Sequence, residues 1–463
     1  MTAKGKILAD SGKNSREALN KMALNHHIPA VTARQEREQD GAWILTKGHG
    51  ATLTGIDGRE YLDAIGGGTL AVGVGYGYEE IAKAIYEQAR QLHYTAPYLG
   101  VAPVTIELAA KLAEITPGSL SATWFASGGS EAVESAIKLA KQYHYHNKER
   151  ERTKFISRKY AYHGTTMGAI SLTGPCPGFD FLRFMNEPNM MSGVSHISPP
   201  YCYRCDLGLE YPACDVACAK ELEKEIESQG PETVAAFIGE PVMGAGGCIP
   251  PVPEYWPMIR SICDKYGVLL IADEVINGFG RTGKMFACEH WDLEPDIMTM
   301  AKNISGCYVP LGGAIVKAEL ADKIPLFMHV FTFSGHAVAC AAGLAAIEVM
   351  EREKMVEHVA EVGAYMLDGL KTLESHPLVG EVRGLGMIAG IEMVKDKKTR
   401  EPFPMAGSVP EKVAKRMLDY GVFLRVGGGS VIEVAPVYNF TKKDADTLVE
   451  ALGKSLKDVE KEA

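Results

Sequence analysis

Two ionisable side chains stand out by their position in this chain of 463 residues. The run LLIADEV turns from apolar to acidic at Asp273-Glu274, and a later short apolar run, IMTMA, ends in Lys302. Each run reads as a buried strand, which puts a carboxylate and an amine at strand mouths, where open α/β sheets hold their ligands. Alone, Asp273 reads as a helix N-cap and Lys302 as a solvated lysine. Together they offer an amine that can condense with a carbonyl and a carboxylate that can keep a ring nitrogen protonated.

A third group adds an anion site. Ser127-Gly128-Gly129-Ser130-Glu131 joins a strand to a helix, so its small residues expose backbone N–H groups at a helix N-terminus. Tyr162-His163-Gly164 follows another strand and offers a flat ring. Amine, carboxylate, anion turn and ring are the set that a pyridoxal-phosphate enzyme requires. A competing motif, Gly278-x-x-x-x-Gly283-Lys284, has Met285 where a P-loop needs Ser or Thr; it therefore lacks the Mg²⁺-binding hydroxyl.

The elements that must position these residues alternate. Strands are expected at 123–126, 155–157, 234–238, 268–272, 297–300 and 313–316. Helices are expected at 131–146, 218–229 and 255–266, the pattern of a mainly parallel sheet covered by helices. Residues 41–63 read as a β-meander turning at Asp57-Gly58. Beyond about 340 the pattern becomes α+β: a strand pair near 380–394, a helix opened by the capping box Ser408-x-x-Glu411, and a last helix from Thr441. The expected division is 70–340 for a large α/β domain, with 1–69 and 341–463 forming a small discontinuous one.

Composition sets outer bounds. With 48 basic and 58 acidic residues the net charge is −10, and there is no basic run to suit nucleic acid. No apolar stretch is long enough to span a membrane, and the polar opening segment lacks a secretion signal, so a cytoplasmic setting is expected. Ten cysteines suit reduced thiols there. Cys202, Cys205, Cys214 and Cys218 have a ligand-like spacing in an irregular segment, 174–218, that reads as a functional loop. A structural zinc and four reduced thiols both fit, and the second reading is adopted, with no metal assigned.

FASGGSEAVESAIK, YHGTT, GEPVMGAGG, ADEVINGFGRTG, PDIMTMAKNISGCYVPLG and FTFSGHAVACAA occur in that order. In this the chain resembles the class III pyridoxal-phosphate aminotransferases, the ω-transaminase group. The resemblance implies fold type I, the aspartate-aminotransferase-like architecture, and pyridoxal 5′-phosphate as cofactor. It implies Lys302 as the Schiff-base lysine and proton shuttle, with Asp273 on the pyridine nitrogen. Val275 and Tyr162 would lie on the two ring faces. Gly128, Gly129 and Ser130 would hold the phosphate, and Glu240 would join the network beside Asp273. Thr332 would reach the phosphate of a neighbouring subunit, making a homodimer or a dimer of dimers with shared sites.

The resemblance also bears on substrate. Glutamate- and ornithine-type relatives carry an Arg in the last strand, where Glu433 stands here. Arg425 lies at the spacing of the arginine that meets a carboxylate in relatives using pyruvate. An ω-amino acid or primary amine donor and a keto acid acceptor, pyruvate, are therefore expected, by a ping-pong mechanism. Leu70 stands nearest the place of a family Trp, with Tyr94 and Tyr98 as compensating candidates. The same core residues also serve aminomutases, racemases, decarboxylating relatives and 2-oxoglutarate-dependent transaminases.

Overall fold

The computed structural model describes residues 15–177, 180, 183, 190–404 and 408–462. The polar opening segment up to residue 14 and part of the irregular segment 174–218 lie outside them.

Seven strands form the central sheet, in the spatial order Leu120–Ala126, Gly312–Lys317, Ile297–Met300, Leu269–Asp273, Val234–Gly239, Lys154–Arg158 and Val194–Ile197. Gly312–Lys317 runs antiparallel to both neighbours, and the remaining pairings are parallel. The central strands are buried on both faces, so they read as unbroken apolar runs rather than alternating ones.

The two faces feed different clusters. Phe155, Ile238, Leu269, Ile271 and Ile297 pack with Val133, Ala136 and Ala140 of the helix Gly129–His146. Ile156, Phe237, Leu270 and Met298 point the other way, into the main core with Leu108, Leu222, Trp256 and Ile259. Strand and helix bounds fall within a few residues of the sequence expectation.

Two smaller sheets come from the ends of the chain. Leu45–His49, Thr52–Gly55 and Glu60–Asp63 form the expected antiparallel meander, and Val422–Phe423 adds to it in parallel, Val422 opposite Leu62. Val379–Gly384, Ala389–Asp396, Val431–Val434 and Arg425–Gly427 form the other sheet, with Glu401–Pro402 at its side. Ser408 is the N-cap of the helix Val409–Asp419 but makes no side-chain cap hydrogen bond, unlike the expected box. The last helix is capped instead: Thr441 Oγ1 accepts from Asp444 N at 3.1 Å, and Asp444 Oδ2 accepts from Thr441 N at 2.8 Å.

At the end of the sheet opposite Lys302, Asp296 ties three elements together. It accepts from Leu270 N at 2.8 Å, from Arg260 at 2.8 Å and from Lys317 at 2.9 Å. Burial pushes its carboxyl up, but Arg260, the Leu270 N–H and Lys317 outweigh that and hold it below the usual range. A carboxyl lowered in the folded state contributes stability above its unfolded value, lost as pH falls through the folded one. Asp296→Asn is therefore expected to destabilise the protein by about 3 kcal/mol at neutral pH. The gap should narrow as the pH falls below the ordinary carboxylate range and Asp296 takes up a proton, as read from thermal or urea unfolding midpoints across pH.

Candidate active site

The carboxyl edge of the central sheet is where the catalytic candidates meet. Ser127 to Ser130 follow the strand ending at Ala126, and Tyr162 to Gly164 follow the strand ending at Arg158. Glu240 follows Gly239, Asp273 ends its own strand, and Lys302 follows Met300 by two residues. A cavity of about 390 Å³ opens there, lined by Gly128, Gly129, Ser130, Tyr162, Glu240, Asp273, Val275 and Lys302, together with Ser127, His163 and Cys307.

Asp273 is buried and its carboxylate is well supplied with donors. Oδ1 accepts from Thr299 Oγ1 at 2.9 Å and from Val275 N at 3.1 Å, and Oδ2 faces His163 Nδ1 at 2.6 Å. Thr299 is in place because it pairs with Asp273 in the parallel register of the two central strands. Oδ2 has one such partner, so it keeps a lone pair for a further donor.

Glu240 is also buried, accepting from Tyr162 N at 3.1 Å and Gly244 N at 2.8 Å. Burial raises its carboxyl, opposed by the nearby His163 and Arg158. Arg158 donates to the Glu240 carbonyl at 2.6 Å and stacks over Trp256.

Lys302 sits in a left-handed conformation (φ 50°) at the start of a short 3₁₀ turn. Such a backbone costs of the order of 1–3 kcal/mol in a non-glycine residue and is held by its surroundings. Burial first, then the charge of Arg425, pushes its amine down to about 8. Gly129 opens the helix Gly129–His146; a Cβ there would lie 2.8 Å from Val275 Cγ1. Its absence lets the helix N-terminus and the Val275 side chain face the same space.

Two predicted residues stand apart. Thr332 is exposed in a turn and does not line this cavity. Arg425 is close enough for its charge to bear on Lys302 and Tyr162, yet it lies outside the lining. Its Nε donates to Glu433 Oε2 at 2.6 Å and its Nη1 to the Gly68 carbonyl at 3.1 Å.

Leu70 is buried with φ 54° at the end of the Gly66–Leu70 turn and does not line the cavity, nor do Tyr94 and Tyr98. The would-be P-loop is a packed turn. Arg281 within it is buried, donating to the carbonyls of Val72, Met387 and Pro436. Among the described residues, no group of three or more His, Cys, Asp or Glu could hold a metal ion, and Cys202, Cys205, Cys214 and Cys218 are free thiols. His163 and Thr299 carry the Asp273 network without having been assigned; His163 lay within the quoted YHGTT, and Thr299 was legible only as a register partner.

The Aminotransferase class-III family profile matches residues 33–456. The chain belongs to the class III aminotransferases. A putrescine–pyruvate aminotransferase of Pseudomonas aeruginosa is 36% identical over 442 residues, covering 94% of this chain and 95% of the relative. Among solved structures, a thermostable (S)-enantioselective omega-transaminase from Thermomicrobium roseum is 40% identical, with a TM-score of 0.91 and coverage of 96% and 98% of the two chains. An omega transaminase from Pseudomonas jessenii in complex with PMP is 33% identical, with a TM-score of 0.90 and coverage of 96% and 98%.

This class III aminotransferase thus has the fold type I architecture and depends on pyridoxal phosphate. Its cavity suits that group: a cradle that a Cβ at Gly129 would fill, a buried carboxylate with a lone pair to spare, and a buried lysine. A direct reading of the last point is available in the cofactor-free aminotransferase. An amine-directed label should modify Lys302 with a rate rising through pH about 8, while exposed lysines respond nearer pH 10.4. Peptide mass spectrometry across pH measures both.

Proposed function

We propose that this enzyme moves the amino group of an ω-amino acid or primary amine to pyruvate by a ping-pong mechanism, the donor leaving as a carbonyl before the keto acid enters. The carrying observation is the charge placement beside the cavity. Arg425 supplies a cation whose field reaches Lys302, and its cross-strand neighbour is the carboxylate Glu433 rather than a second cation. A monocarboxylate such as pyruvate needs one such cation. The second carboxylate of 2-oxoglutarate would meet a like charge at Glu433. The name of the Pseudomonas aeruginosa relative supports the same acceptor.

Bound pyridoxal phosphate supplies the electron-withdrawing ring that lets the C–H bond beside the amine break. The chain's residues divide the remaining tasks. Lys302 Nζ would hold the cofactor at rest and, once displaced, would take the proton from the donor carbon and return it to the carbon on the other side of the amine nitrogen, two bonds away. An amine pushed down to about 8 is a base at near-neutral pH. Asp273 Oδ2 would keep the ring nitrogen protonated, and His163 and Thr299 orient that carboxylate. Val275 and Tyr162 would lie against the ring faces, and Glu240 steadies the backbone of Tyr162. Gly128, Gly129 and Ser130 would receive the phosphate at the helix N-terminus.

Thr332 completes that phosphate site in a partner subunit of a homodimer or a dimer of dimers. Support comes from its exposed turn, flanked by exposed Met328, Val330 and Phe333, a surface that suits burial between subunits. The division proposed is a cavity unit of residues 70–340 and a second unit drawn from 1–69 and 341–463, of which residues 1–14, 405–407 and 463 lie outside the described ones. The seam crosses the helix Ala337–Arg352. No helix among the described residues is long and apolar enough to cross a membrane, in keeping with a cytoplasmic site of action.

Lys302→Ala is expected to lower turnover about a thousandfold or more while cofactor still binds. The assay is a panel of amines with pyruvate and with 2-oxoglutarate; faster turnover with 2-oxoglutarate would refute the acceptor. Thr332→Ala should weaken cofactor retention about tenfold, as for loss of one charge-assisted hydrogen bond, without altering the fold. Equilibrium dialysis reads the affinity, and sedimentation reads the subunit count.

A further inference from the structure

Arg425 and Glu433 face each other across an antiparallel strand pair, so both side chains stand on one face of the sheet. Glu433 is fully buried, whereas the Arg425 side chain keeps 30% of its surface exposed. Among the described residues, the carboxylate has one hydrogen-bond partner, the Arg425 Nε at 2.6 Å; its Oε1 is buried with none. The carboxylate therefore sits behind the guanidinium and draws it back towards the sheet. The Gly68 carbonyl holds Nη1 from the side. Held this way, Arg425 does not line the cavity, although its charge is felt there.

We propose that Glu433 is a positioning residue that parks Arg425 outside the cavity by standing in for a substrate carboxylate, and so sets the balance between substrates with and without one. This rests on the reading of Arg425 as the group that meets the acceptor's carboxylate. When a donor without a carboxylate occupies the cavity, the guanidinium charge is already satisfied and need not be left unpaired beside an apolar group. When pyruvate occupies it, the carboxylate must take Arg425 from Glu433. Carboxylate affinity is thereby reduced by the internal competition, while carboxylate-free amines are unaffected by it. The residue acts only through Arg425, so its effect falls on KM for one class of substrate and leaves the proton transfer alone.

Glu433→Gln keeps the shape and a hydrogen-bond acceptor but removes the competing charge. In the holoenzyme, KM for pyruvate is expected to fall about three- to tenfold, the difference between a charged and a neutral hydrogen bond. KM for β-alanine should fall in parallel. KM for 1-phenylethylamine, which has no carboxylate, and kcat should both stay within about twofold, since neither draws on this bond. Glu433→Leu, which suits a buried strand, gives a second test of the same direction should the glutamine variant fold poorly.

A pyruvate KM that rises or does not change in both variants, or a 1-phenylethylamine KM that falls equally, overturns the proposal. Arg425→Gln separates the two levels. If it leaves the pyruvate KM unchanged, the carboxylate role of Arg425 fails and the inference fails with it. If it raises the pyruvate KM while the Glu433 variants lower nothing, the inference alone fails.

Discussion

The rest of the site depends on satisfying one carboxyl group in the interior. Asp273 is out of water, and an unpaired buried charge costs several kcal/mol. Three donors from three places in the chain, the Thr299 hydroxyl, the Val275 amide and the His163 ring, meet that cost. Each requirement propagates. Thr299 fixes the register of two central strands, Val275 fixes how the chain turns after the strand, and His163 fixes the loop that also carries Tyr162. Val275, already tied by its amide, then dictates that residue 129 have no side chain. The opposite edge of the same strands is secured separately, by Asp296 with its two cations and the Leu270 amide. The strand ends that carry the chemistry are thus anchored at both edges.

Much of this was legible in the sequence because the physics is local. Continuous apolar runs become doubly buried strands, and small residues ahead of an amphipathic stretch become a helix N-terminus. An abrupt switch from apolar to ionisable marks a strand mouth. The helix Tyr255–Tyr266 and the strand Ile297–Met300 fall where their periodicity and length place them. What was not legible depended on register between distant segments. Thr299 looks like any strand residue until its neighbour is known, and Arg425 and Glu433 become a pair only when two strands align. Ser408 shows the converse: a local signal was present, yet its hydroxyl makes no cap bond.

Arg281 illustrates how a motif can mislead. Gly278 to Lys284 has the composition of a phosphate loop, but its cation is directed inward. There it lies over Tyr438 and donates to carbonyls contributed by the regions around residues 72, 387 and 436. Burial disfavours its charged form, and neighbouring Tyr438 and Asp63 oppose that effect. The glycines serve close packing instead: a Cβ at Gly283 would lie 2.9 Å from Ala360, and one at Gly278 would lie 2.9 Å from the Glu274 carbonyl. The difference from an anion site lies in what surrounds the loop, which composition does not report.

The meander near the N-terminus ends in a strand whose free edge is closed by Val422–Phe423, and Arg59 grips the Asp419 carbonyl 360 residues along the chain. During synthesis these strands wait with an open edge until the segment at 422–423 has been made. Open edges recruit other strands, and a closure of this span carries a loop entropy that local contacts cannot offset. A chain that stopped before residue 422 would keep the cavity-bearing strands but leave the edge of Glu60–Asp63 open.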